Sequence, residues 1–322
     1  MKMGKIDRYK GALLGVAVGD ALGAPLEFLS ASEIQRKYGT VREMIGGGWL
    51  CVEPGEVTDD TQMTLAVAEG IVESPDDPEQ AVGRNFLRWF KTAPKDIGGT
   101  CRAVLTSMRY QMDADTAAWL RASERTDRET GGWTAGNGAL MRTVYPALYY
   151  HRDKALKVAA SVARLTHWHE ASTKSVLWYT DAVNSIVNSD WPAGKAKDQA
   201  EAIMHDARTM LGKECPEPTG YSLDSLVCAM NAVRGTDSFE DALVYAVNLG
   251  GDADTIGAIT GGLAGAVYGA EAIPLRWVEA LDKQPNQEIV QMFYAGTGKD
   301  GDCLADRLMA LAHIACAHQE SM

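Results

Sequence analysis

Residues 11–23 read GALLGVAVGDALG and residues 257–269 read GAITGGLAGAVYG, so glycine recurs at every fourth position in both stretches. Most of the other residues are apolar and follow the periodicity of a helix. A glycine inside a helix costs about 1 kcal/mol relative to alanine, but its missing Cβ lets a neighbouring backbone come close. The two stretches therefore predict two glycine-striped helices in a tightly packed core.

The rest of the chain has the same helical character. Apolar residues recur at positions i, i+3 and i+4 in nine further segments: 61–73, 78–91, 98–112, 152–164, 170–188, 197–212, 221–234, 238–248 and 303–318. The best strand candidate, 52–57, is interrupted by Pro54 and Gly55. Loop signals at 74–78, 126–138 and 216–220 do not form a long linker. We expect an all-α fold and one compact domain over residues 1–322.

Composition and charge exclude several classes of function. The 322 residues include 31 Lys and Arg against 43 Asp and Glu, a formal charge of −12 that would repel a nucleic-acid backbone. No apolar run reaches the roughly 18 residues that cross a bilayer, and Asp20 interrupts the N-terminal run 11–19 that could imitate a signal peptide. The six cysteines form no CxxC pair. We expect a soluble, cytoplasmic protein that binds no nucleic acid and is not integral to a membrane.

Two short acidic stretches stand at predicted helix starts. Residues 58–60 read TDD just before the helical segment 61–73, and residues 252–255 read DADT. A single stretch of this kind is ordinary helix capping, in which Thr58 serves as the N-cap and the aspartates favour the positive end of the helix dipole. Two such stretches, each with two carboxylates and a threonine, are harder to explain by capping alone.

Four carboxylates brought together would repel one another unless cations neutralised them. Oxygen ligands of this kind select Mg²⁺ or Mn²⁺ rather than zinc. A calcium loop is excluded at 252–263, because Ile256 and Leu263 stand where it needs oxygen ligands. The two stretches therefore predict a two-metal carboxylate site, provided that they meet in space. Glu27, which follows the first glycine stripe, is a candidate fifth carboxylate.

Three weaker candidates accompany the acidic stretches. Residues 136–142, GNGALMR, could offer backbone N–H groups to an anion, although no strand precedes them as in a dinucleotide fold. His167 and His169 are two residues apart, which does not place both rings on one helix face, so we expect one functional histidine at most. Asp96 lies before the predicted helix 98–112 and, taken alone, would be a cap.

In their order and spacing, seven stretches of this chain resemble the ADP-ribosylglycohydrolase family. These stretches are 15–27, 46–50, 54–61, 94–101, 136–142, 166–167 and 248–257. The resemblance covers about residues 9–285 and is closest to the members that reactivate dinitrogenase reductase. It implies an all-α orthogonal helical bundle that carries two divalent cations, Mn²⁺ in the first place and Mg²⁺ as the alternative. It also implies an enzyme that cleaves the glycosidic bond between ADP-ribose and a protein side chain.

The resemblance assigns roles to individual positions. The implied metal ligands are Thr58, Asp59, Asp60, Asp252, Asp254 and Thr255. The implied substrate-binding residues are Asp96, Gly98, Gly99, Asn137, Gly138, His167 and Tyr221. The implied catalytic residues are Glu27, Asp60, Asp96 and Asp254. Among these, Glu27 corresponds to a mobile acid near the metals, and Asp96 to a carboxylate that faces a substrate guanidinium.

The implied activity is removal of ADP-ribose from an arginine of a modified protein. The implied target is dinitrogenase reductase, with a PII-type regulator as a further partner through which the enzyme associates reversibly with a membrane. Serine-linked, poly- or O-acetyl-ADP-ribose substrates remain an alternative, and a non-catalytic ADP-ribose-binding module is an alternative of another class. Segments 113–133 and 190–218 depart from the family pattern, which leaves the macromolecular target open.

Overall fold

The computed structural model describes residues 4–294 and 303–321, and the regular elements within these ranges are helices, with no strand. The α-helices are α1 (Lys5–Gly23), α2 (Ala31–Tyr38), α3 (Asp59–Glu73), α4 (Glu79–Phe90), α5 (Gly99–Met108), α6 (Thr116–Glu129), α7 (Val144–Tyr149), α8 (Arg152–Arg164), α9 (Glu170–Val187), α10 (Ala193–Leu211), α11 (Ser222–Arg234), α12 (Phe239–Val247), α13 (Ala253–Tyr268), α14 (Leu275–Ala280), α15 (Gln284–Tyr294) and α16 (Leu304–Ser321). Short 3-10 helices cover Ala24–Leu26, Asn137–Arg142 and Ala270–Ala272. The all-α prediction is confirmed.

The two glycine-striped helices, α1 and α13, pack against each other. A Cβ placed on Gly15 would lie 2.1 Å from the carbonyl oxygen of Gly261, and one on Gly261 would lie 1.9 Å from the carbonyl oxygen of Gly15. Gly19 and Gly257 repeat this reciprocal contact one turn further along. Each step forward along α1 is a step backward along α13, so the helices run antiparallel. Backbone therefore meets backbone without side chains between them.

The ends of the two stripes show where this contact stops. The spacing predicts that Gly269 continues the stripe inside the helix. In the structure Gly269 instead ends α13, with a backbone φ of +80°. At the other end, a Cβ on Gly23 would lie 2.3 Å from the carbonyl oxygen of Ala253. The register thus places the C-terminal end of α1 beside the N-terminal end of α13, where the second acidic stretch begins.

Helices from distant parts of the chain complete the core. The buried side chain of Gln319 on α16 donates to the carbonyl oxygens of Leu148 and Tyr150, at 2.8 and 2.9 Å. On another side of α13, the hydroxyl of Tyr179 on α9 donates to the carbonyl oxygen of Ile259 at 3.3 Å. None of the described helices combines the length and the apolar character that a membrane crossing needs.

All segments predicted to be helical are helices in the structure, whereas five helices are missing from the prediction: α2, α6, α7, α14 and α15. Helices α2, α7 and α14 have eight, six and six residues, too few for a repeating pattern. The loop signal at 126–138 is wrong at its start, because α6 runs to Glu129. Residues 52–57 form no strand, and Val52 makes only an isolated bridge with Gly47.

We expect Gly261→Ala to lower the free energy of unfolding by about 3 kcal/mol, because its Cβ cannot fit without separating α1 from α13. The matched control is Gly194→Ala on α10, where a Cβ would meet no atom within 4 Å. That control should stabilise the protein by about 0.5 kcal/mol, since it only removes backbone freedom from the unfolded chain. Urea unfolding followed by circular dichroism measures both, and equal effects of the two substitutions would contradict the packing argument.

Candidate active site

Asp20 ties the C-terminal end of α1 to the N-terminal end of α3. Its buried carboxylate accepts the backbone N–H groups of Thr58 and Thr61, each at 3.0 Å. It also accepts both threonine hydroxyls, at 2.9 and 2.5 Å. Thr58 occupies the predicted N-cap position, but its side chain makes no capping bond. The carboxylate of Asp20, from another helix, performs that task instead, because it accepts the backbone N–H of Thr61 in the first turn of α3.

The two acidic stretches meet at the N-terminal ends of α3 and α13. The hydroxyl of Thr255 donates to Oδ2 of Asp60 at 3.3 Å, and the hydroxyl of Thr58 lies at the same distance from that oxygen. The backbone N–H of Thr255 donates to Asp254 at 2.8 Å. Residues that are almost 200 positions apart thus form one buried cluster, as a shared metal site requires.

Glu27 joins this cluster from the segment that follows α1. The backbone of its neighbour Phe28 donates to the carbonyl oxygen of Gly251 at 2.7 Å, which holds the segment beside α13. Carboxylate oxygens of Glu27, Asp96 and Asp254 all lie within 4.8 Å of one another. Three elements distant in sequence therefore direct carboxylates to one point.

The cluster forms the floor of a cavity of about 370 Å³. Eleven of the fourteen predicted site residues line it: Glu27, Asp59, Asp96, Gly98, Gly99, Asn137, Gly138, His167, Asp252, Asp254 and Thr255. Thr58 and Asp60 are buried and contact the cluster through the bonds described above. The amide of Asn137 donates to Asp252 at 2.8 Å, so the glycine-rich stretch 136–142 is held against the second acidic stretch.

The glycines at the start of α5 are not required by packing. A Cβ on Gly98 or Gly99 would meet no atom within 4 Å, although both residues line the cavity. Neither has the positive φ that favours glycine. Their lack of a side chain therefore leaves room inside the cavity itself, which suits close approach of a ligand to the backbone.

Tyr221 lies outside this cavity. It lines a second hollow of about 460 Å³, together with Trp133 and the glycines at 131 and 132. The two hollows adjoin, because Gly136 and Gly220 line both. The predicted substrate contact of Tyr221 thus requires a ligand that extends from the acidic cluster into the neighbouring hollow.

Burial makes the acidic cluster costly without a counter-charge. It raises the pKa of Asp59, Asp60 and Asp254 well above the ordinary value, raises that of Glu27 to about 8, and raises that of Asp20 to about 6. After burial, the strongest influences that raise the pKa of Asp60 and Asp254 are other carboxylates. Oδ1 of Asp60 is buried without a hydrogen-bond partner. An oxygen cluster with these properties fits divalent cations.

The two candidate histidines have different surroundings. His167 is buried beside the cavity, and burial, followed by the charge of Arg142, lowers its pKa to about 3. His169 precedes α9, where its Nδ1 accepts the backbone N–H of Ala171 at 3.1 Å. The structure thus places one histidine at the cavity and uses the other as a helix cap.

An aromatic pair, Phe28 and Trp49, lies at the cavity, and no local sequence pattern marks it as functional. The indole N–H of Trp49 donates to Glu27 at 2.6 Å, and the ring centroid of Trp49 lies 5.4 Å from that of Phe28. Both rings line the cavity although they are 52% and 69% exposed. The stretch 46–50, GGGWL, was part of the family pattern, and it was the only signal of this contact in the sequence.

The sequence model of the family described as ADP-ribosylglycohydrolase matches residues 1–316. The chain belongs to the ADP-ribosylglycohydrolase family. It is 35% identical over 286 residues to ADP-ribosyl-[dinitrogen reductase] glycohydrolase of Rhodospirillum rubrum, an alignment that covers 88% of this chain and 93% of that protein. It is 31% identical over 318 residues to ADP-ribosylarginine hydrolase Tri1 of Serratia proteamaculans, covering 92% and 81% of the two chains.

A solved structure shares the fold over almost its whole length. It is described as an ADP-ribosylglycohydrolase-related protein complex, and it matches with a TM-score of 0.74 and 31% identity over 98% of both chains. The similar proteins from Rhodospirillum and Serratia are named as hydrolases. The chain is thus a glycohydrolase enzyme, which the resemblance implied, and the non-catalytic alternative is not favoured.

We expect Asp20→Ala to lower the free energy of unfolding by about 3 kcal/mol, because it leaves buried donors of Thr58 and Thr61 without an acceptor. Asp115→Ala is the control, since Asp115 caps the exposed start of α6 through the backbone N–H of Ala118. Loss of an ordinary N-cap costs about 1 kcal/mol. Chemical denaturation measures both, and a smaller effect at position 20 than at position 115 would be inconsistent with a linking role for Asp20.

Proposed function

We propose that this enzyme hydrolyses the bond between ADP-ribose and an arginine side chain of a modified protein, with two divalent cations bound at the acidic cluster. The observation that supports this proposal most directly is the convergence of two helix N-termini, each with its carboxylates and threonine, on the floor of one cavity. The relative from Serratia is named an ADP-ribosylarginine hydrolase. This similarity and the carboxylate of Asp96 in the cavity support the proposed substrate class.

The residues that would hold the cations are those that the sequence predicted, namely Thr58, Asp59, Asp60, Asp252, Asp254 and Thr255. We propose Mn²⁺ as the resident metal, with Mg²⁺ as the alternative, because both prefer oxygen ligands. When bound, such a pair supplies Lewis acidity and an activated water. The unpartnered Oδ1 of Asp60 is the oxygen in this cluster that most needs a cation.

The reaction breaks the bond between ribose C1 and a guanidine nitrogen. A water oxygen forms the new bond to C1, and the departing nitrogen takes up a proton. Asp96 lies within reach of Glu27 and Asp254, and it would hold the substrate guanidinium by a charge-assisted bidentate contact. Glu27 would transfer the proton, and the indole N–H of Trp49 would hold its carboxylate in place.

The first turn of α5 would bind the pyrophosphate. Gly99 and Thr100, at the start of this turn, line the cavity, and their backbone amides would meet the ligand. Helix N-termini offer such amides together with the positive end of the helix dipole. Asn137 and Gly138, which also line the cavity, would contact the same ligand, and Tyr221 would contact the part that extends into the second hollow.

We further propose dinitrogenase reductase as the protein target and a PII-type protein as a regulator that recruits the enzyme reversibly to a membrane. The name of the Rhodospirillum relative supports the first of these proposals. The decisive assay is release of ADP-ribose from arginine-modified protein, first with a chelator and then with each metal restored. Release that persists after complete removal of metal would reject the metal-dependent mechanism.

We expect Asp60→Ala or Asp254→Ala to reduce turnover to below about one-thousandth of the wild-type value, because each removes a carboxylate from the proposed metal site. Mn²⁺ should raise the Tm of the wild-type protein and leave that of either variant nearly unchanged. Circular dichroism checks that both variants fold. Full activity of either variant in the presence of Mn²⁺ would show that the residue is no essential ligand.

We expect Asp96→Ala to reduce kcat/KM about a hundredfold on arginine-linked substrates and only a few fold on O-acetyl-ADP-ribose, since only the former presents a guanidinium. Serine-linked and poly-ADP-ribose complete the panel of alternatives. If all substrates lose activity equally, Asp96 has no role in selecting arginine. A wild-type preference for serine-linked or polymeric substrates would favour the alternative activity.

A further inference from the structure

Arg142 is a buried cation whose side chain is paired with no carboxylate in the described part of the chain. Its Nη2 donates to the hydroxyl oxygen of Thr166 at 2.7 Å, and its Nη1 lies 3.4 Å from the sulfur of Cys101. The guanidinium carbon lies 4.5 Å from the centre of the Phe86 ring. Burying a charge in this way is costly, so the arrangement calls for an explanation beyond packing.

The hydroxyl of Thr166 connects this cation to His167. Its oxygen lies 2.8 Å from Nδ1 of His167, and either group could donate in principle. Arginine has only donors, so the bond from Arg142 uses a lone pair of the threonine oxygen. The hydrogen of Thr166 must therefore point elsewhere.

Only one assignment of hydrogens satisfies the three groups. If Nδ1 of His167 carried a hydrogen, the threonine oxygen would accept two bonds. Its own hydrogen would then be left with the sulfur of Cys101, a weak acceptor at 4.0 Å. If Nδ1 carries none, the hydroxyl of Thr166 donates to it in a good hydrogen bond. The hydrogen of the neutral imidazole then sits on Nε2.

We propose that Arg142 and Thr166 are positioning residues that fix His167 in the tautomer with its hydrogen on Nε2, so that this N–H donates to an acceptor oxygen of bound ADP-ribose. Nε2 faces the glycine-rich wall of the cavity, because it would lie 3.3 Å from a Cβ on Gly138 and 3.5 Å from one on Gly136. The identity of the ligand rests on the proposed function, whereas the tautomer rests on the hydrogen bonds alone.

The hydrogen bonds from Arg142 through Thr166 to His167 give the cavity a fixed N–H donor, Nε2 of His167, which does not become an acceptor. A neutral histidine can present either a hydrogen or a lone pair, and the two forms would prefer opposite ligand atoms. The fixed chain from Arg142 through Thr166 removes that ambiguity. The buried charge of Arg142 also disfavours a second proton on the ring. A phosphate or ribose oxygen suits this donor, and a ligand N–H group does not.

Thr166→Val and Thr166→Ser form the matched pair that tests the proposal. Valine keeps the shape and removes the hydroxyl, whereas serine keeps the hydroxyl. Nitrogen-15 NMR of the imidazole rings reports the tautomer directly. The protein is loaded with Mg²⁺ because Mn²⁺ is paramagnetic, and His167→Asn identifies the signals of this ring among the six histidines.

We expect the hydrogen on Nε2 in the wild-type protein and in Thr166→Ser, and its loss or redistribution to Nδ1 in Thr166→Val. A hydrogen on Nδ1 in the wild-type protein overturns the proposal, whether or not the valine variant folds. So does an unchanged Nε2–H tautomer in a folded Thr166→Val protein. Rescue by serine separates a role of the hydroxyl from a general effect on packing.

Calorimetric titration with ADP-ribose tests the second half of the proposal. We expect Thr166→Val to raise the Kd about tenfold, the loss of one hydrogen bond, and Thr166→Ser to stay within about twofold of the wild type. An equal Kd for all three proteins, with the tautomer altered, overturns the contact between His167 and the ligand. The wild-type protein could also show the Nε2–H tautomer and bind no ADP-ribose. That result would support the positioning role of Arg142 and Thr166 and would refute the proposed function instead.

Discussion

The site depends on the direct backbone contact between α1 and α13. Because glycines line both faces, carbonyl oxygens of one helix occupy the places that Cβ atoms of the other would take. Such a contact admits one register, since a shift by a single residue would bring side chains into the gap. That register sets the end of α1, with Asp20 and the following Glu27, beside Asp252 and Asp254 at the start of α13.

The acidic cluster extends this constraint to a third helix. Asp20 accepts the donors at the start of α3, and α3 in turn brings Asp60 within reach of Thr255. Two helix N-termini thus face the same cavity, and their dipoles favour the negative charge that burial opposes. Burial and the neighbouring carboxylates raise the pKa of Asp60 and Asp254, which opposes this favourable effect of the helix dipoles. Burying several carboxylates together lowers the stability of the folded protein, which is typical of a functional site.

Helical periodicity predicted the fold class, and paired acids at two helix starts predicted an acidic site wherever the two stretches meet, because both are local patterns with a physical meaning. The other candidate site residues came from the family resemblance. That the two stripes face each other was not predicted, since spacing within a helix does not identify its partner. Local patterns mark Asp20 only as a polar interruption of an apolar run, because its hydrogen-bond partners lie about 40 positions away. The bond between Trp49 and Glu27 and the position of Tyr221 outside the main cavity depend on loop geometry that no local pattern encodes.

The acidic cluster and the exposed edge of the neighbouring hollow come from different parts of the chain. Helix α6, from a segment that departs from the family pattern, is anchored where the buried ring of Trp119 packs against the backbone position of Gly83 on α4. Its far end leads to Trp133, which is 85% exposed and lines the hollow beside the active-site cavity. Helix α6 packs against α4 and α5, and the segment just before α5 carries Asp96 of the acidic cluster. The segment that departs from the family pattern therefore adjoins the acidic cluster through α5, whereas the register between α1 and α13 is set by the direct contact of their glycines.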